Sequence, residues 1–301
     1  MKNLTLWLII IVGTFLLVDK YKAEIIDFTT NFFTYKQEIV IPKANEYKKE
    51  ASYLLVKNTN NFEPINKSDL INIYYTIINS GWNEFTFYCS DKYTNCLSDL
   101  RHIADDQILL SHINNFVHPF NSYRKIRTSY DALGAVTISI EKTYTENMIK
   151  NINTKVTEIL NNHTNDEMTT EEKIRLIHDY IVNNTKYDSK RIDENNFQYQ
   201  SDNSYGVLFQ GYGICSGYAD TMAIFLSRLN INNYKIASDK HVWNFLYLND
   251  NWLHLDVVWD DPINAKEDIL DHTYFLIDTK KLESLDIAEH KYDKMIYLEA
   301  Q

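Results

Sequence analysis

The chain has 301 residues, 45% of them apolar and 24% charged, a balance that excludes a disordered polymer and suffices for one large domain or two ordinary ones. Its net charge of −11 argues against a nucleic-acid ligand, because phosphate binding needs clustered Lys and Arg. A cationic or neutral partner is easier to accommodate.

Taken in chain order, Met1-Lys2-Asn3 precedes an uncharged, mostly apolar run from Leu4 to Val18, closed by Asp19-Lys20. As a helix this run extends roughly 22 Å, short of the roughly 30 Å hydrocarbon core, so its length favours a signal peptide. No small-x-small cleavage site follows, since Tyr21 stands where Tyr21-Lys22-Ala23 needs a small residue, and that favours an uncleaved signal anchor. The expectation is therefore a signal anchor or signal peptide over 1–20, touching a membrane through residues 4–18 if uncleaved, with an extracytoplasmic remainder. The competing reading is a buried N-terminal helix. Residues 21–45, of mixed charge and without a sustained period, read as a stalk.

Residues 46–160 read as an α+β accessory domain. Ser68-Asp69 can cap a helix running to Ser80, with Gly81 suited to the left-handed residue past its end. Asn83–Cys89 reads as a strand and Leu97–Asn115 has helical spacing. Tyr123–Tyr130 and Ala135–Lys142 read as a hairpin turning through residues 131–134, and Thr145–Asn161 as a helix. Cys89 and Cys96 could close a short loop in an oxidising compartment, which leaves Cys215 without a partner. His102, His112, His118 and Asp105-Asp106 match no ligand spacing, so neither a metal nor another cofactor is expected.

A polar run at 161–166 marks a boundary, and residues 165–301 form the second domain. Thr169 and Glu172 make a capping box, after which Ile174, Ile177, Tyr180 and Ile181 line one face of a helix ending near Asn183-Asn184. Further on, Gly211, Gly213 and Gly217 are three of the chain's seven glycines and surround Cys215. The loop delivers the cysteine to the start of an apolar-periodic helix. There the unpaired N–H groups and the helix dipole favour a thiolate and can hold an oxyanion. An inert buried cysteine is the alternative for this segment taken alone.

His241–Leu248 and Asn251–Asp256 read as two strands around Asn249-Asp250. With a two-residue loop, facing positions sum to 499, which places Asp256 opposite Trp243 and His241 diagonal to Asp256 on the same face. Diagonal neighbours stand roughly 7–8 Å apart, within reach of a carboxylate–imidazole hydrogen bond. A three-residue loop would put the two side chains on opposite faces.

These pieces together resemble the transglutaminase-like superfamily, particularly its bacterial exported branch. They are the helix from Glu171 with Tyr187-Asp188, Tyr205-Gly206, Gly213-Ile-Cys215-Ser-Gly-Tyr-Ala, His241-Val-Trp-Asn, Trp252-Leu-His-Leu-Asp256-Val-Val-Trp-Asp-Asp-Pro262, and His272-Thr-Tyr-Phe-Leu. The resemblance covers roughly residues 165–280. It implies a papain-like core in which a helix bearing the cysteine packs on a small antiparallel sheet. It also implies that Cys215 attacks a carboxamide, His241 carries the proton and Asp256 orients the imidazole.

The expected substrate is a peptide, protein or cell-wall peptide, with hydrolysis slightly favoured over amine crosslinking. The rival is a cell-surface binding module with a vestigial triad. Tyr205 and Gln210 are candidates for a further oxyanion donor. Trp243 and Trp259 are candidates for a substrate channel, although aromatic residues on a sheet under a helix are more often core. Asp260-Asp261-Pro262 reads as a turn rather than a cation site.

Overall fold

The computed structural model describes residues 17–18, 20–24, 39–131, 134–261, 270–285 and 287–300. The expected export segment, apart from Leu17, Val18 and Lys20, and most of the expected stalk lie outside these residues. Among the described residues no helix is long and apolar enough to cross a membrane, so the membrane expectation finds no support there.

The architecture is mixed helix and sheet, as expected. Helix α1 (Lys67–Asn79) leads to strand β1 (Glu84–Tyr88), helices α2 (Cys96–Asp105) and α3 (Gln107–Asn115), strands β2 (Tyr123–Tyr130) and β3 (Ala135–Lys142), and helix α4 (Glu146–His163). The first sheet is antiparallel in the order β1-β3-β2. Two local expectations change. Asn66, not Ser68-Asp69, caps α1 by accepting from the Asp69 N–H. The helical stretch from residue 97 to 115 is broken at Asp106, whose ψ of 85° leaves the helix and whose carboxylate caps α3 through the Leu109 N–H. Cys89 and Cys96 are disulfide-bonded, tying the end of β1 to the start of α2.

The C-terminal half begins with α5 (Thr170–Asn184), which carries the expected Thr169–Glu172 capping box. A two-strand parallel pair follows, β4 (Lys186–Tyr187) with β5 (Tyr212–Gly213), with the short helix α6 (Ser189–Asp193) between them. Helix α7 (Cys215–Arg228) then packs on the antiparallel sheet β6 (Asn233–Ala237), β7 (Val242–Leu248), β8 (Asn251–Leu255), in which β7 is central. Helix α8 (Thr279–Ser284) and a 3-10 turn at Ala288–His290 complete the described chain.

The β6–β8 sheet is covered on both faces, so burial along its strands is almost unbroken. Leu246, Leu248 and Leu255 join Met222, Phe225 and Leu226 of α7 in one buried cluster. Tyr234, Ile236, Trp243 and Phe245 join a second cluster with Ile73 and Ile77 of α1, Ile113 of α3 and Phe116. The buried core therefore does not divide at the boundary expected near 161–166. The first half of the chain supplies the floor on which the C-terminal sheet rests.

Candidate active site

The hairpin that carries two of the expected site residues has the register that a two-residue loop dictates. Asn244 pairs with Leu255, Phe245 with His254 and Leu248 with Asn251. Asn249 and Asp250 both take positive φ, 50° and 66°, the left-handed pair of a type I′ turn, which Asn and Asp tolerate better than most residues. The turn thus fixes the parity that brings His241 and Asp256 together. His241 Nε2 lies 2.5 Å from Asp256 Oδ2, and both residues are buried.

Cys215 is the first residue of α7, preceded by Ile214 in extended conformation. The loop running toward it is pinned to the helix start: the Ile214 N–H donates to the Ser201 carbonyl at 2.8 Å and Ser216 Oγ to the Asp202 carbonyl at 3.0 Å. Gly217 is required here, since a Cβ at that position would stand 2.3 Å from the Ser201 carbonyl oxygen. Cys215 is free of any disulfide and partly exposed, and it is near enough to the His241 ring to help raise that ring's pKa. With Nε2 held by Asp256, Nδ1 is the ring nitrogen left to face the sulfur.

Charge binds this row together. Burial alone would depress the His241 pKa, but the Asp256 carboxylate and its hydrogen bond, with a smaller contribution from Cys215, outweigh it and raise the value from 6.5 to about 10. Burial pushes Asp256 up, yet the His241 charge and the bonds from His241 and His290 bring it down to about 2. The stability that His241 contributes is complete below 6.5 and lost as pH rises through about 10. That of Asp256 is present above 3.8 and lost as pH falls through about 2. The melting-temperature difference between the native protein and His241→Ala, followed by calorimetry, should therefore be largest between about pH 4 and about pH 6.5 and shrink on either side.

Asp256 has a partner that the sequence did not disclose. His290 Nε2 lies 2.8 Å from the same Oδ2, while Oδ1 accepts from the Val258 N–H at 3.2 Å and, more loosely, from the Trp259 N–H. His290 is buried and packs against Tyr274, Trp243 and Trp259, with ring centroids 4.8, 5.1 and 4.9 Å away.

The two tryptophan candidates separate. Trp243 stacks on His241 and donates from Nε1 to His254 Nδ1 at 3.1 Å, but it is 1% exposed, so it backs the imidazole and cannot wall an open channel. Trp259 is 36% exposed and meets the His241 ring edge-on, where a substrate could touch it. Of the oxyanion candidates, Gln210 accepts from the Gln200 N–H through Oε1, and Tyr205 stacks on Phe209. His254 is a core residue, bonded to Trp243 and to Thr279 Oγ1, its pKa held down near 3 by burial.

A second polar row runs beside the first. His272 Nε2 and His178 Nδ1 both approach Asp179 Oδ1, at 2.7 and 2.9 Å. His178 Nε2 meets Asp260 Oδ2 at 3.1 Å, and Asp260 Oδ1 accepts the Tyr274 N–H. Donor atoms of His178, Asp179 and His272 lie within 4.8 Å of one another, as do those of His241, Asp256 and His290. Either set has ligand chemistry suited to a divalent ion, but hydrogen bonds among these atoms already account for their convergence. Asp260 thus ties α5 to the segment after β8, and Asp261 accepts from the Tyr218 hydroxyl of α7.

Residues 156–257 match the family model of the transglutaminase-like superfamily, a span that holds Cys215, His241 and Asp256 and ends before His290. Among solved structures, one described as the crystal structure of a TGase is similar over 48% of this chain and 47% of that one, at 12% identity and a TM-score of 0.36. The chain thus spans about half the length of that structure. No curated protein matches.

Proposed function

We propose that the transglutaminase-like domain of this chain is a working cysteine acyl-transfer enzyme acting on carboxamides of peptides or proteins, with Cys215 as nucleophile, His241 as proton carrier and Asp256 as the orienting acid. The observation that carries this reading is a grouping: a partly exposed cysteine at a helix start, an imidazole whose pKa it helps to raise, and a buried carboxylate bonded to that imidazole's Nε2. A scaffold has no use for that order of groups.

In the proposed cycle the Cys215 proton resides on His241, and the sulfur attacks the carboxamide carbon. The oxygen that gains the electron pair is met by the free N–H groups of the first turn of α7. Tyr205 and Gln210 remain candidates for a further donor. The tetrahedral centre collapses as the C–N bond breaks and His241 returns its proton to the departing amine. The thioester is then taken by water or by a second amine, with His241 accepting the attacker's proton. Because Cys215 is partly exposed, water can reach the thioester, and hydrolysis is favoured over crosslinking. The Cys89–Cys96 bridge supports an extracytoplasmic location, which makes cell-surface peptides and cell-wall peptides the substrates to test first.

Incubating the protein with peptide libraries and cell-wall fragments, with and without a fluorescent primary amine, tests the reading. Cleavage or deamidation without label is expected. Label incorporation would move the assignment to crosslinking. No reaction, with Cys215→Ser indistinguishable from the native protein in cells, would replace an enzyme with a binding module.

A further inference from the structure

We infer that His290 is a positioning residue of this site: it shares Asp256 with His241 and thereby limits how tightly Asp256 holds the proton of His241. The inference rests on the acyl-transfer reading above and adds to it a residue outside the matched family region.

Three observations carry it. First, a single oxygen, Asp256 Oδ2, receives both imidazoles, His241 at 2.5 Å and His290 at 2.8 Å. A carboxylate oxygen that already accepts one N–H is a weaker acceptor and a less complete counter-charge for the next. Second, the remaining oxygen, Oδ1, is engaged by the Val258 and Trp259 N–H groups, so the carboxylate is held from both sides and cannot rotate away from His241.

Third, His290 Nδ1 is buried and has no hydrogen-bond partner among the described residues. A phenyl ring would fill the space between Tyr274, Trp243 and Trp259 without leaving a polar atom unpaired, so packing does not explain an imidazole here. The contact that only the imidazole can make is the one to Asp256.

Among the described residues, the charged and titratable groups around Asp256 are these. His241 comes from the loop before β7, with Cys215 of α7 beyond it, and His290 from the C-terminal turn. His254 of β8 feels both Asp256 and His290, while Asp260 and Tyr274 feel Asp256 from the segments following β8. Among the described residues, only His241 and His290 bond to the Asp256 carboxylate through their side chains. Removing the His290 N–H should therefore act on His241 first.

The test is the titration of His241, read from the ring nitrogens by NMR in the native protein, in His290→Phe and in His290→Gln. Phenylalanine keeps the ring and removes the donor, whereas glutamine restores an N–H near the place of Nε2. The His241 midpoint should rise by roughly one pH unit in His290→Phe and return most of the way in His290→Gln.

An unmoved midpoint in a folded His290→Phe protein, or the same shift in both variants, would overturn the inference. Should His290→Phe not fold, the native protein decides: His290 must carry its proton on Nε2, and a bare Nε2 with a protonated Nδ1 contradicts the account. Failure of the enzymatic reading looks different, since Cys215 would then react with alkylating agents no faster than an ordinary thiol while the His241 midpoint still responded to His290.

Discussion

His241→Ala should lower the rate of acyl transfer by about 10²–10⁴-fold, the range expected for a lost general acid–base group, and Cys215→Ala should remove covalent turnover altogether. The two effects should not add: with the thiol gone, deleting His241 changes nothing further, because the two residues act as one unit. Steady-state rates of the two single variants and the double variant check this. Asp256→Ala is expected to cost less than either, because Asp256 touches no substrate and works by fixing the ring that does. His241→Ala should leave the fold largely in place, as Asp256 keeps its bonds from His290, Val258 and Trp259.

The second large effect concerns stability. Asp220 of α7 accepts from Lys235 Nζ at 2.5 Å and from the Tyr144 hydroxyl at 2.7 Å, and Asp220 and Lys235 are both buried. Asp220→Ala would leave the ammonium of Lys235 buried without its counter-charge, a loss of about 3–5 kcal/mol, measurable as a reduced midpoint in urea. Replacing both partners together, Asp220→Leu with Lys235→Met, should recover most of that loss, since two apolar groups of similar size leave no charge stranded. Tyr144 stands before α4, so the same carboxylate also fastens the first half of the chain to the helix that bears Cys215.

What the sequence could disclose about the site followed from local rules. A two-residue loop of Asn249-Asp250 fixes strand parity, and parity alone puts His241 and Asp256 on one face. The glycine cluster around Cys215 and the apolar period after it are likewise local, and they placed the cysteine at a helix start. The Thr169–Glu172 box and the hairpin at 123–142 were legible for the same reason.

The parts that were not legible depend on distant partners. His290 reaches Asp256 across 34 residues from a three-residue turn with no period to read. Trp243 looks the same in sequence whether it walls a channel or sits under the N-terminal helices. Only the covered second face of the sheet decides for the core. Apolar residues carry no label for the cluster they join, so the shared core across residues 161–166 was invisible. The break at Asp106 is not legible because helical spacing continues through it, while the Asp106 carboxylate caps a new helix.

The measurement closest to the central claim is the rate of iodoacetamide alkylation of Cys215 in the folded protein near neutral pH, compared with His241→Ala and with an ordinary cysteine thiol. An activated thiol predicts fast, selective labelling of Cys215 in the native protein and a sharp slowing in the variant. Equal rates in the native protein and in His241→Ala would contradict it, and Cys215 would then be a cysteine near a histidine rather than the nucleophile of an enzyme.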